Sequence, residues 1–317
     1  MKAFRSRFAL RFSEYVRLRR GLGFKFQEAE ILYQFDQFAC EQGHTGPLTQ
    51  AQALAFAGAS TRLNVNGRAR RYQVVRHFAA YLCAYEADTA RLDPKALTWS
   101  NIRPPVHFYT EEELGKLLES ALRYGPSDPL GGITVRSMIG LVASTGLRIG
   151  ELVRLDKADV DLETGVLTVR RTKFGKSRLV PVHATTLEVL RRYASLRDRH
   201  FRSPGSECGA FFLNRRGRRF VINTLQGIFR RVAARAGLRS DRGKGPNFHS
   251  LRHRFAVQRL VTWYQEGVDV QAMLPWLATY LGHVHYSDTA YYITGTPELL
   301  ALAARRRPAP ADETRPS

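Results

Sequence analysis

Cysteine is scarce in this chain: 317 residues hold only Cys40, Cys83 and Cys208. They are far apart and odd in number, which gives no basis for a disulfide framework or a Cys-x-x-Cys metal knuckle. Long apolar runs are also missing. The longest candidate, Met138 to Leu147, holds Ser144, Thr145 and Gly146 and falls short of the about 18 residues that a membrane span needs. Arginines interrupt the apolar residues of Met1-Lys2-Ala3-Phe4-Arg5-Ser6-Arg7, so no export signal forms and a cytoplasmic location is expected. Acidic residues are few, 28 Asp plus Glu against 49 Lys plus Arg, for a net charge of +21. That imbalance points to a polyanionic partner, nucleic acid ahead of an anionic membrane surface. Gly21-Leu22-Gly23 lacks an accompanying Walker lysine or Rossmann strand and reads as a turn. No internal repeat is visible.

Apolar residues make up 44% of the chain, enough for ordinary globular packing, and the length favours two domains over one. Residues 10–90 read as several helices. Phe12, Tyr15, Val16 and Leu18, then Ala29, Leu32, Tyr33, Phe35, Phe38 and Ala39, recur at helical spacing, and a third helix is expected from Arg68 to about Tyr85. Its Arg68, Arg70, Arg71 and Arg76 form either a solvated face or a set of phosphate contacts, and the whole-chain charge favours the second.

The proline-rich stretch 93–106 reads as a linker. After it, Thr110 and Glu113 form a capping box ahead of Leu114, Leu117 and Leu118. Around Val160 to Val182 the period changes to that of a β-hairpin or small antiparallel sheet, whose basic tip runs from Arg170 to Arg178. Helix returns from Thr185 and again over 223–236. Residues 305–317 alternate basic residues with Pro and Ala and read as disordered. The expected fold is therefore mainly α with a small antiparallel β element.

Five groups of residues follow in order: Thr145-Gly146-Leu147-Arg148 with Glu151, the hairpin lysines Lys173 and Lys176, His249 with Arg252, Leu281-Gly282-His283, and Tyr292. Cleaving a phosphodiester requires neutralising its non-bridging oxygens and protonating a poor leaving group. Arg148 and Arg252 suit the first task because a guanidinium binds two oxygens and never titrates. A hairpin lysine, Lys173, suits the second. Tyr292 would be the nucleophile, with His249 as a base for its proton. Blander readings exist for single residues. Glu151 is spaced to form a surface ion pair with Arg154, and His249 and His253 are spaced like two metal ligands on a helix, although no third ligand has supporting spacing. Trp263 and Trp276 read as packing residues.

Taken together, these motifs resemble those of the tyrosine recombinases, the phage-integrase family, over nearly the whole chain. The resemblance implies a two-domain DNA clamp: a helical core-binding domain over 1–92, a linker over 93–106, a catalytic domain over 107–304 and the tail 305–317. It assigns Arg148, Lys173, His249, Arg252, His283 and Tyr292 to catalysis, Glu151 to support, and Tyr291 to packing. Lys176 and Arg178 are weaker claimants to the lysine's role and, with the arginines of the third helix, candidate DNA contacts. Two positions depart from the family pattern, Arg254 where Ser or Thr is frequent and Thr294 where His is frequent. Neither supplies an essential chemical group.

The implied reaction is attack by Tyr292 on a scissile phosphate to give a 3′-phosphotyrosyl link, with no metal, ATP or other cofactor. Implied partners are double-stranded DNA with inverted-repeat sites, and copies of this chain or sister recombinases completing a tetramer on DNA. The segment from Trp263 to Leu281 and the run Thr296-Pro297-Glu298-Leu299 are similar to recombinases carried by transposable elements. A C-terminal helix from Pro297 to about Ala304, passed to a neighbouring protomer, is also implied. Two further readings share the resemblance: a catalytically idle DNA-binding accessory protein of a multi-recombinase set, and a type IB topoisomerase-like activity.

Overall fold

Apolar residues at helical spacing organise both halves of the chain, whose described residues in a computed structural model are 3–23, 26, 28–100, 107–125, 129–170, 177–201, 208–238, 245–283 and 289. Two compact units divide at 104/105.

The first unit has four helices, α1 (Ala9–Gly21), α2 (Ala29–Glu41), α3 (Gln50–Gly58) and α4 (Val65–Leu82). Their core is aromatic. Phe8, Phe12, Phe35, Tyr72 and Phe78 are all fully buried, and the Phe12 and Phe78 rings stack at 4.3 Å. Buried Asp36 holds the N-terminal segment, its carboxylate accepting from the backbone N–H of Arg5 at 2.8 Å and of Ser6 at 2.9 Å. The sequence pattern predicts three helices here, and α3 is the additional one. Its Gln-Ala-Gln-Ala-Leu-Ala-Phe-Ala-Gly run is too rich in alanine to show two contrasting faces, so Thr49 capping the N–H of Gln52 is the stronger signal.

Residues 93–100 of the expected linker are tied to this unit. Tyr72 donates its hydroxyl to the Asp93 carbonyl at 2.7 Å, Ser100 donates its N–H to Asn66 Oδ1 at 2.7 Å, and Ala96 and Leu97 pack against the aromatic core.

The second unit begins with α5 (Glu111–Leu122), started by the Thr110–Glu113 capping box. It continues through α6 (Pro129–Thr145), α7 (Ile149–Arg154), the strands β1 (Val160–Asp161), β2 (Val166–Val169) and β3 (Arg178–Pro181), then α8 (Ala184–His200), α9 (Ile222–Arg235), α10 (Phe248–Gln265) and α11 (Val270–Leu281). The sheet is antiparallel in the order β1-β2-β3, with Val169 opposite Arg178. Buried α6 packs on α5, α8 and α10. The first turn of α10 puts Phe248 and Leu251 into the main core. Its later residues Phe255, Ala256 and Leu260 form a second cluster with Val270, Leu274, Leu277 and Leu281 of α11. Helix α11 therefore folds back along α10 and returns the chain to the level of Arg252.

Arg254, the unusual residue of α10, is buried and faces the start of the unit. It donates from Nε to the Tyr109 carbonyl at 3.1 Å and pairs with Glu111. Trp276 differs from the packing role expected for it: it is 71% exposed on the outer face of α11, where the helix turns Leu274 and Leu277 inward instead. Trp263 is partly buried against the α10–α11 cluster. The tail 305–317 and the expected C-terminal helix from Pro297 lie outside the described residues.

Candidate active site

Helix α6 ends at Gly146, whose φ of +64° is the left-handed conformation that glycine adopts without strain. A Cβ at this position would lie 2.7 Å from the Phe255 ring and 2.8 Å from Leu281. Two residues later Arg148 sits at the N-cap of α7, and Glu151, one turn on, accepts its backbone N–H at 3.0 Å and its Nη1 at 3.0 Å. The carboxylate thus satisfies an orphan donor of the helix start and orients the guanidinium in the same contact.

Asn247 starts α10, its side chain accepting from the N–H groups of His249 at 2.8 Å and Ser250 at 3.1 Å. His249 and Arg252, three apart, then share one helix face. Arg252 is 1% exposed. It donates to the Gly146 carbonyl at 2.6 Å, the Leu281 carbonyl at 2.8 Å and His283 Nε2 at 2.8 Å. Because that ring nitrogen accepts, the imidazole proton belongs on Nδ1, which reaches Thr289 Oγ1 at 2.6 Å.

Helix α11 ends in a Schellman motif. Gly282 has φ +69°, and the N–H of His283 donates back to the Ala278 carbonyl at 2.9 Å. The carbonyls that the helix end leaves unpaired become acceptors for arginines. Tyr280 O takes Arg178 Nε at 2.8 Å, Leu281 O takes Arg148 Nη1 at 3.4 Å as well as Arg252, and Gly282 O takes Arg148 Nη2 at 2.9 Å. The partial negative charge of a helix C-terminus favours such an arrangement. Three guanidinium groups gather at this junction, two of them bonded to the carboxylate of Glu151, so the local charge suits an anion.

Burial raises the pKa of Glu151, but the bonds and charges of Arg178, then those of Arg148, outweigh it and bring the value down to about 2. His249 shifts downward, first through desolvation and then through the charges of Arg252 and Arg148. An imidazole shifted this way is neutral at physiological pH and can accept a proton. Its ring packs edge-on against His253 at 4.4 Å, and among the described residues no cluster of three or more His, Cys, Asp or Glu is spaced to hold a metal.

The structure brings together Arg148, Glu151, His249, Arg252 and His283. Lys173, Lys176, Tyr291 and Tyr292 lie outside the described residues. Two expected DNA contacts are engaged differently. Arg178 has a side chain only 10% exposed and turns both terminal nitrogens onto Glu151. That contact also replaces the Glu151–Arg154 surface pair considered from sequence spacing. Arg71 lies over the Phe56 ring at 4.1 Å and donates to the Phe56 carbonyl and Gln34. On the same helix Arg68 and Arg70 remain exposed, while half-buried Arg76 donates to Gln73.

One basic element was not singled out from the sequence. Asn214 Oδ1 accepts from the N–H groups of Arg216 at 2.9 Å and Arg218 at 3.2 Å, building a tight turn that leaves Arg215, Arg216 and Arg218 exposed. Its signal was the run Asn-Arg-Arg-Gly-Arg-Arg, a turn residue followed by arginines around a glycine.

The model of the phage integrase family matches residues 107–298. The chain belongs to that family. Across most of its length it resembles the putative integrase/recombinase y4rE of Sinorhizobium fredii, which is 47% identical over 311 residues, 96% of this chain and 97% of the relative. It also resembles the tyrosine recombinase XerD of Mycobacterium tuberculosis, 32% identical over 71% of this chain and 68% of that protein. Among solved structures, the Tn1549 transposon integrase in complex with transposon right end DNA matches with a TM-score of 0.61 at 19% identity, covering 93% and 98% of the two chains. A lambda integrase tetramer bound to a Holliday junction matches with a TM-score of 0.62 at 17% identity, covering 89% and 76%. At those identities the structures show a shared fold. The family is that of the tyrosine recombinases, enzymes of site-specific DNA recombination.

Proposed function

We propose that this recombinase cuts and rejoins DNA through a 3′-phosphotyrosyl intermediate, with Tyr292 as the nucleophile, in the service of a mobile element. The observation that carries this reading is the convergence of Arg148, Arg252 and His283 on the end of α11. Two guanidinium groups and an imidazole at one place suit an oxyanion such as a phosphate. Arg148 and Arg252 bind its non-bridging oxygens, where negative charge is highest in the transition state. His249, held neutral, takes the proton of the Tyr292 phenol as the P–O bond to tyrosine forms. The bond to the 5′ oxygen breaks, and Lys173 protonates that leaving group. The 5′-hydroxyl of a partner duplex then attacks the link, the strand is rejoined and the tyrosine is released. Because the energy of the broken bond is retained in the phosphotyrosyl link, no ATP enters.

The partner is double-stranded DNA with inverted-repeat sites, bound through exposed arginines such as Arg68, Arg70, Arg215, Arg216 and Arg218, which supply sequence-independent phosphate contacts. Assembly into a tetramer, of this chain alone or with sister recombinases, is in keeping with the lambda integrase neighbour, and a mobile-element role with the Tn1549 neighbour.

The test is to express wild type and Tyr292→Phe in cells carrying the native locus, trap SDS-resistant protein–DNA adducts and sequence the attached ends. Adducts with wild type alone, clustered at repeated sites, support the reading. Adducts from both variants move the nucleophile to another residue, Tyr291 first. Binding without adducts from either favours an accessory role, and relaxation of supercoiled DNA without strand exchange favours topoisomerase-like action.

A further inference from the structure

Arg178 is the first residue of β3, opposite Val169 at the end of the β2–β3 pair where the connecting segment joins the two strands. A sequence of Lys-Ser-Arg after a basic tip reads as a solvated, DNA-facing run. The side chain does the opposite. Nη1 donates to Glu151 Oε1 at 3.0 Å and Nη2 to Glu151 Oε2 at 2.8 Å, a fork on a carboxylate whose side chain is 2% exposed, while Nε donates to the Tyr280 carbonyl at 2.8 Å. The same Glu151 oxygens receive the backbone N–H and Nη1 of Arg148. Gly282 completes the fit, since a Cβ there would lie 2.7 Å from Arg178 Nη1.

We propose that Arg178 is a positioning residue for strand cleavage, gripping Glu151 and the end of α11 so that Arg148 and the turn carrying His283 are held in one arrangement. It acts through Arg148 and has no part in touching the phosphate. The geometry gives each of its three donors a purpose. Two neutralise Glu151, which would otherwise be a buried carboxylate shared with Arg148 alone and free to draw that guanidinium inward from its 38% exposed position. The third ties β3 to the last turn of α11, so the strand and the helix end cannot shift independently. A lysine keeps the charge but not the fork, and it reaches one of these acceptors at a time.

The proposal rests on the recombinase reading, and its test separates the two. Arg178→Met and Arg178→Lys are compared with wild type, at equal folded fraction by circular dichroism, on a duplex carrying the site recovered from trapped adducts. DNA affinity and single-turnover cleavage are measured with an ordinary scissile phosphate and with a methylphosphonate there, which lacks one non-bridging charge. A misplaced clamp costs on the order of a hundredfold in rate. The expected result is cleavage reduced by about that factor in Arg178→Met, partial recovery in Arg178→Lys, and DNA affinity within about threefold of wild type. The deficit shrinks on the methylphosphonate, where Arg148 has less charge to meet. Cleavage equal to wild type, affinity falling in step with cleavage, or the same deficit on both substrates would each overturn the proposal.

Should wild type cleave no site, the recombinase reading falls, and the Arg178–Glu151–Arg148 linkage is read from melting temperatures of Arg178→Met, Arg148→Met and the double variant. A double-variant loss different from the sum of the singles supports the linkage, because both guanidinium groups share one carboxylate. Additive losses reject it.

Discussion

Arg148 and Arg252 share one acceptor, the carbonyl oxygen of Leu281, at 3.4 and 2.8 Å. They come from different helices and differ in surroundings: Arg148 has a side chain 38% exposed, whereas Arg252 is 1% exposed. The two should therefore separate catalysis from stability when replaced.

For Arg148→Lys the expected loss of cleavage is about 10²–10³-fold, the usual effect of removing one transition-state donor, with a small change in melting temperature. Arg252→Lys should lose comparable cleavage and also several degrees of melting temperature, because the Gly146 and Leu281 carbonyls and His283 lose a fixed donor inside the protein. Equal thermal losses in the two variants would contradict the difference in burial.

Glu151 makes stability depend on acid. Its folded-state pKa of about 2 lies below the ordinary 4.5, so between these values the unfolded chain binds more protons than the folded one. The contribution is fully present above pH 4.5 and is lost as pH falls toward 2; by linkage it amounts to roughly 3 kcal/mol. Urea unfolding of wild type and Glu151→Gln should show a gap at neutral pH that narrows below pH 4.5. A gap independent of pH would mean that the glutamate contributes by shape alone.

His249 has its pKa lowered by desolvation and by two arginines. If it is the base for the nucleophile, the acid limb of the cleavage rate lies below the ordinary imidazole value of about 6.5 and disappears in His249→Ala. Protonation below that value also costs stability, since the unfolded chain takes up the proton more readily. Rate and stability should be followed together across the same range so that unfolding is not mistaken for the limb.

Gly282→Ala and Gly43→Ala form a controlled pair. Both residues have positive φ, +69° and +61°, but a Cβ at Gly43 meets nothing within 4 Å. Gly43→Ala should cost about 1 kcal/mol of backbone strain. Gly282→Ala should cost more and reduce cleavage, because making room means withdrawing Arg178 from Glu151. Chemical denaturation and single-turnover cleavage of both variants check this.

Those parts of the site that follow short-range rules were legible in the sequence. The capping box of Thr110 and Glu113 is a four-residue pattern, and Arg148, His249, Arg252 and His283 stand in motifs whose order alone suggested that they meet. What the sequence concealed depends on chain returns. Nothing local marks Arg178 as an inward-facing residue, because its partners Glu151 and Tyr280 are 27 and 102 positions away. The spacing of Glu151 and Arg154 offered a nearer partner that the fold does not use. Arg254 reaches Glu111 across 143 positions, which no periodicity conveys. Helix α3 escaped for the opposite reason, its alanines giving no contrast between faces.

The end of α11 also bears on when order is acquired. In solution a guanidinium side chain samples many rotamers, and arranging several around a phosphate would draw on the free energy of DNA association. Here the carbonyls of residues 280–282 hold Arg148, Arg178 and Arg252 before any substrate arrives. Their rotational freedom is surrendered during folding, so on the proposed reading a scissile phosphate would meet Arg148 and Arg252 already in place, steadied by Arg178, and the association energy of the surrounding duplex would be left available for bending, pairing and aligning the strands.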